Sequence, residues 1–87
     1  MGQVISRAAL RNRVIDLLQE VAGFSPDAIT DTSTIDTDLQ MQSVAFVELQ
    51  VALEDEYQIS LDPIRLVELN EFAAIVDYIH RTIEASA

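Results

Sequence analysis

Ser43 is the residue in this chain best placed to do chemistry. It stands between a polar stretch and a run, Val44 to Tyr57, that holds no Gly and no Pro. A serine there reads as a helix N-cap, its hydroxyl accepting a bond from an orphan N–H of the first turn. Little else in the chain could turn it into a nucleophile. His80 is the only histidine, with no partner at ligand or triad spacing, and no glycine elbow surrounds the serine. The chain has only Gly2 and Gly23, so it has no Gly-rich phosphate loop. Its acids are spread as surface charge, without an isolated pair in an apolar setting. No cysteine is present, which excludes disulfides, thiolate ligands and thiol nucleophiles, and argues against zinc.

The helix behind Ser43 carries two apolar stripes. Ala45, Phe46, Leu49, Leu53 and Tyr57 recur at the spacing of a core-facing helix. Val44, Val47 and Val51 fall on the other side, beside Glu48, Glu54 and Asp55. One core needs one stripe. Valines set among carboxylates suggest a docking surface for another protein. Packing beneath a short later helix is the competing account, for Val47 above all.

The run Ser43-Val44, Phe46-Val47-Glu48-Leu49 and Ala52-Leu53-Glu54-Asp55-Glu56-Tyr57 resembles acyl carrier proteins, and the likeness extends over nearly the whole chain. The resemblance makes Ser43 the attachment point of 4′-phosphopantetheine. It implies carriage of acyl intermediates as thioesters on that arm, without catalysis by the chain itself. It further implies a phosphopantetheinyl transferase, an acyl-loading ligase or acyltransferase, and condensing enzymes as partners. The valine–carboxylate face, Val44, Val47, Glu48, Val51, Glu54 and Asp55, would meet them. The family's Asp before the serine is here Gln42, and its earlier Gly is Gln40. The missing carboxylate removes a charge that a transferase could grip, but leaves the hydroxyl. Gln42 points toward specialised metabolism rather than housekeeping lipid synthesis.

Bulk properties agree. At 87 residues the chain is expected to be one domain, residues 1–87, with one modest core. Formal charge is −10, from fifteen acids against five arginines and no lysine. Nucleic acid and anionic membranes are therefore poor partners. From Asp27 to Asp62 there are nine acids and no base, whereas Arg7, Arg11 and Arg13 cluster near the N-terminus. The arginines read as a solvated face, the acids as a field that steers basic partners. No apolar run reaches the ~20 residues of a membrane span, and no signal peptide is evident. A cytoplasmic monomer is the expectation.

These residues require helices to hold them. Residues 3 to 22 read as a first helix, with Val4, Leu10, Val14, Leu17, Leu18 and Val21 on one side and Ile15 at its border. Gly23 ends it. Residues 23 to 42 form a long connection, with a short helical turn at Pro26–Ile29 and Ile29, Ile35 and Leu39 as apolar pegs. Its aspartates suit turns better than a cation, their spacing being unlike an EF-hand. After the Ser43 helix, Asp62 and Pro63 open a short helix through Ile64, Leu66 and Val67. Asn70 is expected to cap the last helix, whose core stripe is Phe72, Ile75, Val76, Ile79 and Ile83, with His80 at the edge as a structural residue and Ala85–Ala87 frayed.

The sequence thus predicts an all-α four-helix bundle, with three long helices, a short third one and a long loop between the first two. It predicts an acyl carrier in polyketide or fatty-acid biosynthesis. An aminoacyl or peptidyl carrier of a nonribosomal pathway, and an unmodified helical adaptor, are the alternatives.

Overall fold

Ser6 starts the first helix. Its backbone is extended and its hydroxyl accepts the N–H of Ala9 at 3.1 Å, so α1 runs Arg7–Ala22. The expected start at residue 3 is overturned by that cap, and Val4 lies outside the residues that the computed structural model describes, 5–34 and 43–86, with only the backbone of Ser43. Leu10, Val14, Ile15, Leu17 and Leu18 are buried along α1. Gly23 ends it at φ 73°, its N–H bonded to the Gln19 carbonyl, a left-handed conformation that glycine adopts without strain.

A 3₁₀ turn follows at Pro26–Ala28, then α2 (Ser43–Tyr57), α3 (Pro63–Leu69) and α4 (Phe72–Ser86). This is the four-helix bundle read from the sequence, with three long helices and a short third. Among the described residues there is no strand, only an isolated antiparallel bridge between Thr34 and Glu71. α1 packs on both α2 and α4, and α3 packs on α4. Leu10, Val14, Leu18, Leu53, Val76, Ile79 and Ile83 are the most deeply buried side chains in the single core they share.

Each later helix has its own stop or start. Gln58 takes a left-handed conformation after α2, and the Ile59 N–H reaches back to the Glu54 carbonyl. Asp62 caps α3 through its side chain, with Pro63 first in the helix, as read from the sequence. Asn70, by contrast, closes α3 at φ 61° and does not open α4. The first N–H groups of α4 find their partners elsewhere. Phe72 and Ala73 donate to the carbonyls of Ser33 and Asp31 in the long loop, at 2.8 and 3.0 Å. The predicted fraying of Ala85 and Ser86 is also overturned, since α4 extends through Ser86, whose hydroxyl donates to the Thr82 carbonyl.

The three arginines of α1 are not a solvated face. Arg7 bonds Asp77 and the Ala73 carbonyl on α4. Arg11 bonds Asp31 in the loop at 2.8 Å and lies over the Phe72 ring. Arg13 holds both oxygens of Glu56 on α2 at 2.7–3.0 Å. Each joins α1 to a different part of the chain. His80 is structural, as read: half-buried, its Nε2 lies 2.9 Å from the Ile5 carbonyl. Ile29 is buried as a loop peg, while Ile35 and Leu39 lie outside the described residues.

Arg13's hydrogen bonds hold the Glu56 carboxyl below its ordinary value of 4.5. The folded chain therefore binds that proton more weakly than the unfolded one. The stabilisation is complete above the unfolded carboxyl range and disappears as pH falls through the lower, folded value. Both side chains are about one-third exposed, so solvent limits the pair to about 1 kcal/mol or less. Arg13→Gln is expected to lower urea stability at pH 7 by that amount and to flatten the acid limb below pH 4.5. An acid limb identical to that of the parent chain would show the pair to be ornamental.

Candidate functional site

The backbone of Ser43 is the first residue of α2. Ser43 thus lies inside α2 as its first residue, which corrects its reading as the N-cap before the helix. The first turn of α2 contains no acid. The positive end of the helix dipole is thus not neutralised by carboxylates of its own turn, which suits a phosphodiester at that point.

Burial divides α2 as the periodicity suggested. Leu49, Leu53 and Tyr57 are buried, with Phe46 partly so. Burial, and then the neighbouring Glu56 carboxylate, push the Tyr57 phenol up to about 12, so it stays neutral. Val44 is 68 % exposed, Val47 53 % and Val51 48 %. Val47 at that exposure is not packed beneath α3, which removes its competing account. Glu48 and Asp55 stand in solvent on the same side of the helix. Ser43's backbone, Val44, Val47, Glu48, Val51 and Asp55 together form one face along α2.

Glu54 belongs elsewhere. Its carboxylate accepts the Leu61 N–H at 2.8 Å, and Gln50, one turn earlier, donates to the Leu61 carbonyl at 3.2 Å. This pair fastens the α2–α3 connection to the flank of α2. Glu54 is a fastening residue first, a correction to its reading as a docking carboxylate. Two residues missed in the sequence join the exposed apolar set: Ile64 at 68 % and Val67 at 59 % on α3. The signal was present. A seven-residue helix that buries Leu66 turns Ile64 about 200° away from it.

Two further features bear on what the bundle can do. The apolar cavity among Val14, Leu18, Phe46, Leu53, Phe72 and Ile79 measures only about 20 Å³. A cavity needs only ~10–15 Å³ of such space to admit one water, so this one has room for about a single water and this conformation encloses no acyl chain. Among the described residues no group of three or more His, Cys, Asp or Glu could hold a metal ion. No described helix is long and apolar enough to cross a membrane.

Residues 12–79 match the family model for the phosphopantetheine attachment site. The chain belongs to that family. Membership makes residues 12–79 a phosphopantetheine-attachment domain, with 4′-phosphopantetheine as its prosthetic group. Among similar proteins are the meromycolate extension acyl carrier proteins of Mycobacterium leprae and Mycobacterium tuberculosis H37Rv. Each is 30 % identical over 71 residues, covering 82 % of this chain and 62 % of the relative. That of Mycolicibacterium smegmatis is 29 % identical over 69 residues, covering 79 % and 70 %. The chain thus spans about three-fifths of the length of the two Mycobacterium relatives.

The division of labour on α2 can be tested by stability. Glu54→Ala is expected to cost about 1 kcal/mol, because the Leu61 N–H loses its acceptor in a half-buried place. Glu48→Ala and Asp55→Ala should each stay within about 0.5 kcal/mol of the parent. Urea melts of the three variants check this. Equal losses at all three positions would remove the distinction between fastening and docking carboxylates.

Proposed function

We propose that the chain carries acyl groups as thioesters on a phosphopantetheine arm joined to the Ser43 hydroxyl, and that the exposed face of α2 docks the enzymes that load and use it. One observation carries the reading. The helix that Ser43 opens leaves its apolar residues Val44, Val47 and Val51 in water, flanked by Glu48 and Asp55, although the same helix has a full core stripe. Among the described residues, nothing covers that face.

The prosthetic group supplies the thiol that this cysteine-free chain lacks. The chain's own residues do the rest. Ser43 provides the hydroxyl, and the N-terminus of α2 favours the negative charge attached to it. The valines give a small apolar contact, with Ile64 and Val67 available beside them on α3. Glu48 and Asp55 draw in Arg and Lys on partner enzymes. A small interface with mobile surface charges forms fast and releases fast, which a shuttle between enzymes requires. The partners are a phosphopantetheinyl transferase, a loading ligase or acyltransferase, and condensing enzymes. The names of the mycobacterial relatives favour an acyl chain under extension as cargo.

Intact mass after incubation with coenzyme A and a broad-specificity phosphopantetheinyl transferase tests the attachment. A gain of one phosphopantetheinyl group is expected in the parent and none in Ser43→Ala. The fold should persist, since alanine is the better helix former at a first-turn position. An unchanged parent mass, or a gain in Ser43→Ala, would sink the assignment and favour the helical adaptor. Glu48→Lys is expected to slow association with the transferase and to reduce its salt dependence. Unaltered rates at every ionic strength would move the docking face off α2.

A further inference from the structure

We propose that the groove between α3 and α4 binds a carboxylate borne on a short aliphatic stem. The arginines lead to it. Three of the five are committed to acids on other parts of the fold, as described above. The remaining two, Arg65 and Arg81, line one groove of about 150 Å³ together with Leu69, Ala74, Asp77 and Tyr78. Among the described residues Arg65 pairs with Glu68, at 3.7 Å, with both side chains more than half exposed. Such a pair is readily exchanged for a better acceptor. Among the described residues Arg81 has no hydrogen bond or ion pair. In a chain of charge −10, the uncommitted cations thus share one site.

The other walls narrow the ligand. Asp77 is already bonded to Arg7, which offsets its repulsion of an anion. The Tyr78 hydroxyl oxygen accepts the Asp62 N–H at 3.1 Å, leaving its hydrogen as a donor. Two guanidinium forks and a phenol suit a carboxylate. Leu69 and Ala74 offer an apolar wall that a bare inorganic anion cannot use. A groove of this size has room for a carboxylate and two or three methylenes and is too small for a nucleotide. A free short diacid and a glutamate side chain on another protein both offer this chemistry.

Amide chemical shifts of the full chain, titrated at low salt with glutarate or with N-acetyl-glutamate amide, test the site. The titration is run on Ser43→Ala, so it can fail while the carrier reading stands. Shifts centred on Leu69, Ala74, Tyr78 and Arg81 are expected. Arg65→Gln and Arg81→Gln should each weaken binding about fivefold, and Glu68→Gln should strengthen it by releasing Arg65. Tighter binding of glutarate would assign the site to a free diacid. Equal or tighter binding of the blocked amino acid would assign it to a protein side chain. Shifts scattered along the acidic surface, binding indifferent to Arg81→Gln, or inorganic phosphate binding as tightly as glutarate would each overturn the proposal.

Discussion

Leu49, Leu53 and Tyr57 pull one side of α2 into the core with the buried residues of α1 and α4. Each large apolar side chain so buried contributes about 2 kcal/mol, and together they fix the rotation of the helix about its axis. That rotation leaves Val44, Val47 and Val51 no interior to enter. Three valines in water are the consequence of satisfying the other stripe. The same rotation sets Ser43 and Glu48 where they are, so the geometry of the working face is decided by residues on the opposite side.

Charge is organised with the same economy. The arginines of α1 reach to α4, to the long loop and to α2, and each takes an acid out of the surface field. Asp31, Glu56 and Asp77 are occupied in this way, Asp62 caps α3, and Glu54 is tied to a backbone N–H. The carboxylates left over on α2 include Glu48 and Asp55, beside the exposed valines. A net charge of −10 describes the chain, but the field that a partner meets is sharper than that number.

Much of this was legible beforehand. The core stripe of α4, that of α1 from Leu10 to Leu18 and that of α2 at Leu49, Leu53 and Tyr57, together with the glycine stop and the Asp62–Pro63 start, follow from local rules, and they hold. The serine-led helix identified the family before any geometry was known. What was not legible depends on contacts between distant segments. Arg7, Arg11 and Arg13 look like a solvated cluster until α4, the loop and α2 are placed around them. Glu54 looks like its neighbours until the α2–α3 connection folds back onto it. Asn70 has the chemistry of a helix opener, yet it sits where α3 ends, at φ 61° and ψ −44°, in a tight turn closed by the Glu71 N–H on the Leu69 carbonyl. The cap of α4 came from residues some forty positions earlier, which no local rule could supply.

That last arrangement has a consequence for how the chain can vary. A cap made by a side chain restricts residue type, but backbone carbonyls are present whatever the residue. Position, not identity, is what Asp31 and Ser33 contribute to the start of α4. The stretch from Gly23 to Thr34 is therefore a measured strap: its letters can drift, but adding or deleting one would shift both carbonyls out of register with Phe72 and Ala73. Changes of length in homologous chains should accumulate beyond Thr34, where the strap has already been buckled.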